Sequence, residues 1–95
     1  MSPVEPKDLN ALPPLPITVL GHYRHYKGGD YEVIGVARHS ETDSPMVVYR
    51  PLYNQTGWWV RDHGMFFESL EVEGVMRKRF EFMGPVSTPN QKPND

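Results

Sequence analysis

The fold is decided by one stretch of the chain, Gly28-Gly29-Asp30-Tyr31-Glu32-Val33-Ile34-Gly35-Val36-Ala37-Arg38. Its first three residues form a turn signal, and the rest is a β-branched and aromatic run that is typical of a strand. The preceding segment, residues 21–27, is a second strand candidate. Because the two segments flank a glycine pair, we predict a β-hairpin here.

Further strand signals follow along the chain, and no sustained helical periodicity accompanies them. We predict strands at 46–50, 58–61 and 67–73, a short helical turn at 62–66, and either a sixth strand or a returning arm at 77–82. Gly21 and Gly35 lie inside strand patterns and are expected at bends or bulges. Five or six short strands in a small unit favour a strongly bent sheet, since closure leaves few open edges. The prediction is an all-β, small SH3-like barrel or roll with Pro-rich tails.

Proline and aromatic residues divide the chain. All aromatic residues lie between Tyr23 and Phe82, whereas most of the ten prolines precede residue 17 or follow residue 84. A Pro-rich segment without aromatic residues buries too little apolar area to offset the entropy of ordering it. We therefore predict a folded domain at residues 17–84, a Pro-rich N-terminal tail at 1–16 and a disordered C-terminal tail at 85–95.

Composition excludes several classes of protein. The chain has 95 residues, a formal net charge of −2 and no cysteine, which excludes disulfides, thiol nucleophiles and Cys-type zinc sites. The slight acidity argues against a protein that mainly coats nucleic acid or an anionic membrane. No apolar run approaches the roughly 18 residues of a membrane span, and the N-terminal sequence lacks a signal-peptide pattern. We expect a cytoplasmic, bacterial-type protein that does not bind membranes.

Several short motifs resemble a known family. They are Tyr23-Arg24-His25-Tyr26-Lys27-Gly28, Tyr31-Glu32-Val33, Ala37-Arg38-His39-Ser40-Glu41-Thr42, Val48-Tyr49, Leu52-Tyr53, Trp59-Val60-Arg61, Met65-Phe66 and Arg79-Phe80. Together they are similar to domain-of-unknown-function family 1653, a family of small bacterial proteins, over about residues 21–82. The sequence departs from the family pattern at Ser44, in place of an acidic residue, and at Asp62, in place of proline. The resemblance implies an SH3-like β-barrel and no established activity, cofactor or catalytic residue.

The four histidines are candidates for a metal site. His22 and His25 point to opposite faces of a regular strand, so they cannot hold one ion together. His39 could join His25 or His63 in space to form a zinc site, but no local spacing supports this. Ser40 is adjacent to His39, yet a catalytic triad depends on spatial geometry rather than on adjacency in sequence. We therefore favour a non-enzymatic protein over an enzyme and predict no cofactor and no metal.

Basic and aromatic residues form a second candidate site. Arg38, Arg50 and Arg61 end consecutive predicted strands, so their guanidinium groups could gather on one face beside aromatic rings. Such a face, with Arg24 and Lys27 added, suits single-stranded nucleic acid. The alternative, which the charge balance favours, is that each arginine pairs with an acidic residue on a neighbouring strand.

Trp58 and Trp59 are adjacent in a predicted strand, so one indole is expected in the core and the other outside it. The outer indole either packs under the N-terminal tail or serves as a binding platform. Residues 12–16 of the tail contain a Pro-x-x-Pro segment, which favours polyproline II and docks on aromatic grooves. We expect this segment to lie against aromatic residues such as Tyr23, Tyr26 or Trp58, in the same chain or in a neighbouring copy.

The first functional hypothesis is a non-enzymatic binding module that recognises a peptide or protein partner through an aromatic groove. Its predicted aromatic residues are Tyr23, Tyr26, Tyr49, Trp58 and Trp59. The alternative is a single-stranded nucleic-acid binder, disfavoured by net charge, that uses the same rings with Arg24, Arg38, Arg50 and Arg61. The second alternative is a small metal-dependent enzyme built on His25, His39 and His63.

Overall fold

The computed structural model describes residues 11–86, and these residues form an all-β fold. The strands are β1 (Gly21–His25), β2 (Asp30–Arg38), β3 (Pro45–Pro51), β4 (Trp59–Asp62), β5 (Ser69–Val72), β6 (Val75–Lys78) and β7 (Phe80–Gly84), with a helical turn, α1 (His63–Phe66), between β4 and β5. The predicted all-β class is confirmed. Residues 1–10 and 87–95, which include most of the two predicted tails, lie outside the described residues. In the part of the chain that is described, no helix has the length and apolar character needed to cross a membrane.

The strands of residues 11–86 form two antiparallel sheets. A five-stranded sheet has the order β4-β3-β2-β1-β7, and β5 pairs with β6 in a two-stranded sheet. The predicted hairpin is formed by β1 and β2, and Gly28 and Gly29 have positive φ in the connecting turn. The edge strands β4 and β7 are not paired with each other. The closed SH3-like barrel therefore stays a prediction.

A β-bulge in β2 determines which of its side chains face the core. Val33 is opposite Tyr49, and Val36 is opposite Val47, so β2 has one extra residue between these two pairs. The two valines therefore lie on the same face of the sheet despite their odd spacing. Gly35 lies at this irregularity, as the sequence predicted.

The C-terminal part of the domain contains one more strand than the sequence analysis predicted. The predicted strand at 67–73 corresponds to β5, but the predicted strand or arm at 77–82 is two strands, β6 and β7, separated at Arg79. Glu73 and Gly74 connect β5 to β6 in a two-residue hairpin turn, with positive φ values of 52° and 81°.

The helical turn α1 follows β4 directly and carries Phe66 into the core. Asp62 caps this turn, because its Oδ1 accepts a hydrogen bond of 3.1 Å from the amide of Met65. A proline at this position would offer no such side-chain acceptor.

The core lies on one face of the five-stranded sheet. Phe66 and Phe80 form its centre, with parallel stacked rings whose centroids are 3.9 Å apart. Tyr23 and Tyr49 each meet Phe66 edge to face, at 5.6 and 5.4 Å between centroids. The buried side chains are Tyr23, Val33, Val47, Tyr49, Phe66 and Phe80, with Tyr31 and Phe67 packed against them. Aromatic rings therefore fill most of this small core.

The segment before β1 contacts the domain at both ends. Arg38 donates from Nη2 to the carbonyl oxygen of Pro13 at 2.6 Å, and the Tyr23 hydroxyl donates to the carbonyl oxygen of Val19 at 2.7 Å. Val19 belongs to the predicted domain at 17–84 and not to the tail, so the docking of the Pro-x-x-Pro residues on an aromatic ring stays a prediction.

Candidate functional site

An open groove of about 300 Å³ lies where β2, β3 and β4 meet the loop between β3 and β4. Its lining residues are Tyr31, Tyr49, Pro51, Tyr53, Asn54, Thr56 and Trp59. None of these side chains carries a formal charge at neutral pH, and most of them are aromatic. We call this site the aromatic groove.

The strand register brings the rings of the aromatic groove together. Tyr31 is opposite Pro51 in the β2–β3 ladder, and Tyr49 is opposite Trp59 in the β3–β4 ladder. Because cross-strand partners share a face, these residues lie on the same face as the core. Tyr49 is buried and forms the floor, whereas Trp59 and Tyr53 remain 51 % and 59 % exposed.

Hydrogen bonds in the β3–β4 loop fix the position of the Trp59 indole. Asn54 Oδ1 accepts hydrogen bonds from the backbone amide of Thr56 at 3.1 Å and from its hydroxyl at 2.9 Å. The same hydroxyl oxygen accepts from Trp59 Nε1 at 3.1 Å. The indole is therefore held at the rim of the groove by the loop, and its exposed surface is available to a ligand.

Two phenols form the opposite wall of the groove. The hydroxyl oxygens of Tyr31 and Tyr53 are 2.7 Å apart, and their rings meet edge to face with centroids 5.6 Å apart. Burial, together with this hydrogen bond, raises the pKa of Tyr31 to about 12. Since the pair has two hydroxyl hydrogens and uses one between them, one O–H donor is left for a ligand.

The raised pKa of Tyr31 predicts a loss of stability in alkali. Below pH 10.0 the Tyr31 hydroxyl is protonated in both the folded and the unfolded chain. Between pH 10.0 and about 12 it loses its proton in the unfolded chain first, which favours unfolding. We expect Tyr31→Phe to be less stable than the parent by about 1 kcal/mol at neutral pH, because it lacks the hydroxyl bond. The difference should shrink as pH rises through that window.

Urea titrations of the parent and of Tyr31→Phe at stepped pH values measure this difference in unfolding free energy. Tyr53→Phe is the matched variant, because it removes the same hydrogen bond but keeps the Tyr31 hydroxyl. Without that bond the pKa of Tyr31 is raised less, so the alkaline loss of stability should be complete at a lower pH than in the parent. A difference between the parent and Tyr31→Phe that stays constant up to the end of the window would contradict the prediction.

The expectation that one of the two tryptophans lies in the core is wrong. Trp58 is 68 % exposed and Trp59 is 51 % exposed. The stacked rings of Phe66 and Phe80 occupy the centre of the core, and β4 is at the edge of the sheet that residues 11–86 form. Trp58 lines a separate shallow groove beside Arg50, on the other face of the sheet.

The five aromatic residues predicted to bind ligand are divided among different places. Tyr49 and Trp59 lie together in the aromatic groove. Tyr23 is a buried core residue that lines a different groove, next to Val19 and His63, and does not line the aromatic groove. Tyr26 lines another groove, next to β6. The groove is completed by Tyr31 and Tyr53, which the sequence analysis did not select.

The predicted gathering of three arginines on one face does not occur. Arg50 pairs with Glu32 directly opposite it, at 2.7 Å, on the outer face of the sheet. Arg61 is opposite Val47 and thus lies on the core face, where its guanidinium carbon is 5.8 Å from the centre of a phenylalanine ring. Arg38 contacts the N-terminal segment instead. Nucleic-acid binding as such is not tested by these contacts and stays a prediction.

Arg24 follows the alternative that the sequence analysis favoured. Its Nε lies 2.9 Å from Asp30 Oδ1, and His22 Nε2 lies 2.8 Å from the same oxygen. These two hydrogen bonds, that from His22 first, hold the pKa of Asp30 below its usual value. Cross-strand ion pairing therefore accounts for Arg24 as it does for Arg50.

The three histidines of the metal hypothesis are not brought together. His25 and His39 each accept a hydrogen bond of 3.1 Å at Nδ1 from the amide two residues later. His63 Nε2 lies 3.0 Å from the hydroxyl of Thr18. Among residues 11–86, no three His, Asp or Glu side chains are close enough to hold a metal ion. The three predicted ligands are thus not assembled within the described residues, and the metal-dependent enzyme stays a prediction.

These features define a small antiparallel β protein with an open, uncharged aromatic groove beside its core. Residues 21–82 match the family described as protein of unknown function (DUF1653), and the chain belongs to that family, as its motifs predicted. A crystal structure of a DUF1653 protein from Bordetella bronchiseptica is similar, with 36 % sequence identity and a TM-score of 0.67. The match covers 75 % of this chain and 94 % of that chain. Among curated proteins, none matches the sequence.

Proposed function

We propose that the protein is a binding module that holds an extended, proline-containing peptide segment of a protein partner in the aromatic groove. The proposal rests on one observation, the exposed indole of Trp59 held by hydrogen bonds over a floor and wall of tyrosine rings. Aromatic-lined grooves of this kind accept the flat ridges of a polyproline II helix, which is already ordered before it binds.

The lining of the groove favours a neutral occupant rich in proline. Among residues 11–86, no charged side chain lines the groove, so a charged ligand would lose hydration there without an ion-pair partner in the lining. Proline lacks an N–H donor, and a proline-rich segment therefore presents carbonyl acceptors. The hydroxyl donor left by the Tyr31–Tyr53 pair matches this pattern of acceptors.

The chain itself supplies a suitable probe. Residues 12–16 have the Pro-x-x-Pro pattern, but Pro13 is bound to Arg38, at the opposite end of β2 from Tyr31. The rise of about 3.3 Å per residue over the seven steps from Tyr31 to Arg38 separates the two ends by roughly 23 Å. None of the residues that line the groove belongs to this N-terminal segment, so a synthetic peptide of residues 11–18 can be added in trans.

Trp59 should contribute far more than Trp58 to the binding of this peptide. We expect Trp59→Ala to weaken binding by about tenfold or more, because it removes an exposed aromatic anchor of the groove. Trp58→Ala, which removes a more exposed indole from the opposite face, should change the affinity by less than about twofold. The measurement is a titration followed by tryptophan fluorescence and by backbone amide shifts.

A peptide in which alanine replaces every proline is the second control and should bind about tenfold more weakly, since it is not ordered in advance. Amide shifts should concentrate at Tyr31, Tyr53 and Thr56. Equal losses from the two tryptophan variants, or equal binding of the proline-free peptide, would contradict the proposal. Shifts that depend on protein concentration without peptide would identify the segment of a second copy as the occupant.

A further inference from the structure

A second groove, of about 480 Å³, lies between the end of β1 and the β5–β6 hairpin. It shares no lining residue with the aromatic groove. All four residues of β6, from Val75 to Lys78, line it, although side chains of a strand alternate between two faces. Consecutive residues of a strand can all line one groove when the backbone edge of the strand, rather than one of its faces, borders the groove. We infer that β6 borders the groove with its edge. We call this site the β6 groove.

The hairpin register shows which backbone groups point into the β6 groove. In a hairpin with a two-residue turn, the residues that flank the turn, here Val72 and Val75, form a hydrogen-bonded pair, and pairs then alternate. Arg79 fits this alternation, because its amide bonds the carbonyl oxygen of Glu68 at 2.9 Å. The amides and carbonyls of Met76 and Lys78 therefore face away from β5, toward the groove.

The side chains around the β6 groove give it a positive charge. Arg24, Arg77 and Lys78 line it together with a single acidic residue, Glu81. Within residues 11–86, neither Arg77 nor Lys78 forms an ion pair. Burial, and then the positive charges of Arg61, Arg79 and Lys27, lower the pKa of His25, which also lines the groove.

We propose that the β6 groove binds an extended acidic peptide segment, which adds to β6 as a further antiparallel or parallel strand. The outward backbone groups of Met76 and Lys78 supply a strand-pairing edge, and the unpaired cations supply complementarity to Glu or Asp side chains. A single-stranded nucleic acid would satisfy the charges, but it has no backbone N–H groups to pair with a strand edge. The edge is therefore what favours a peptide.

The test uses a short peptide that alternates Val and Glu, with a thymidine oligonucleotide as the second probe. The amides of Met76 and Lys78 should exchange rapidly with solvent in the free protein and become protected when the peptide binds. At low ionic strength, Arg77→Glu should weaken peptide binding by about tenfold or more, since it reverses an unpaired charge in the groove. Glu81→Gln should strengthen it.

Arg38→Glu is the matched control, because it makes the same change of charge at the far end of β2 and should alter binding by less than about twofold. Arg77 is exposed, so its variant is expected to fold, and the unchanged amide spectrum of the core checks this. Peptide binding that leaves Met76 and Lys78 unprotected would overturn the proposal. An effect of Arg38→Glu on peptide binding as large as that of Arg77→Glu would also overturn it. The proposal would fail as well if the oligonucleotide bound more tightly than the peptide and lost its affinity in the Arg77→Glu variant.

Discussion

Phe66→Ala is expected to remove a large part of the stability of the domain, more than any other single substitution considered below. Phe66 is 0 % exposed, stacks on Phe80 at 3.9 Å, and meets Tyr23, Tyr49 and Phe67 edge to face. Replacing a fully buried phenylalanine with alanine costs about 3–5 kcal/mol, since it loses the transfer free energy and leaves a cavity. A domain of this size has a total stability of roughly 3–10 kcal/mol.

Urea unfolding followed by circular dichroism measures the loss. Phe66→Leu, which keeps most of the apolar volume, should retain a folded domain, and Val75→Ala should change the unfolding free energy by less than about 0.5 kcal/mol because Val75 is exposed. Tyr23 on β1 and Tyr49 on β3 both pack on Phe66, so they can close the cavity only if these strands move, which is why the loss should be at the upper end. A loss from Phe66→Ala no greater than that from Phe66→Leu would show that the stacked pair is not the centre of the core.

The local pattern of the sequence predicted the strands well, and it predicted the composition of the core less well. The β1–β2 hairpin and the helical turn follow from glycines and from short apolar runs, which are local signals. Whether Trp59 or Phe66 fills the space under the sheet depends on how distant elements pack. The helical turn after β4 brings Phe66 beneath the sheet, and the indoles are left outside. No local pattern contains that information.

The aromatic groove was predicted in part for a related reason. Trp59 and Tyr49 were selected as candidates, and the β3–β4 register does place them opposite each other. Tyr31 and Tyr53 belong to the same groove because Tyr31 is opposite Pro51, after which the chain turns to Tyr53. The Pro51 that ends the strand was a signal for this turn, but the pairing of Tyr31 with that end of β3 is a long-range register.

The bulge in β2 explains why Arg38 and Arg50 lie on different faces, whereas Arg61 lies on the core face through its own register opposite Val47. Strict alternation from Tyr31 onward places Arg38 on the outer face, but the extra residue near Gly35 shifts it to the core face, opposite Pro45. Arg50 has no such shift and stays on the outer face with Glu32. A single inserted residue thus places Arg38 and Arg50 on different faces, although strict alternation predicts the same face. Gly35 indicates where a bulge can form, but it does not indicate which side chains the bulge moves.

Gly21→Ala is expected to destabilise the protein by about 2–4 kcal/mol, because it combines backbone strain with a steric clash. Gly21 has a φ of +133°, which side-chain-bearing residues rarely adopt. A Cβ at this position would lie 2.8 Å from the carbonyl oxygen of Gly84, and this oxygen belongs to the backbone of β7 and cannot rotate away. The clash can be relieved only by moving β7 away from β1.

Gly35→Ala is the matched control for this prediction. Gly35 also lies inside a strand, but its φ is not in the strained range and no atom lies within 4 Å of an added Cβ. We therefore expect a change smaller than about 1 kcal/mol, with a gain in stability also compatible with the structure, because alanine restricts the unfolded chain. Thermal and urea unfolding of the two variants measure the contrast.

Hydrogen exchange separates a local effect of Gly21→Ala from a global one. Gly21 is the first residue of β1, beside the His22–Gly84 pair, where the β1–β7 ladder already contains an irregularity. If the clash is relieved by moving β7, the amides of that ladder should lose protection before those of the β2–β3 ladder do. Phe80 of β7 is one ring of the stacked pair in the core, so a movement of β7 also weakens the core. We therefore expect the free energy of unfolding of the whole domain to fall as well. Equal stabilities of the Gly21→Ala and Gly35→Ala variants would show that β7 moves without cost, and would contradict the tight β1–β7 contact.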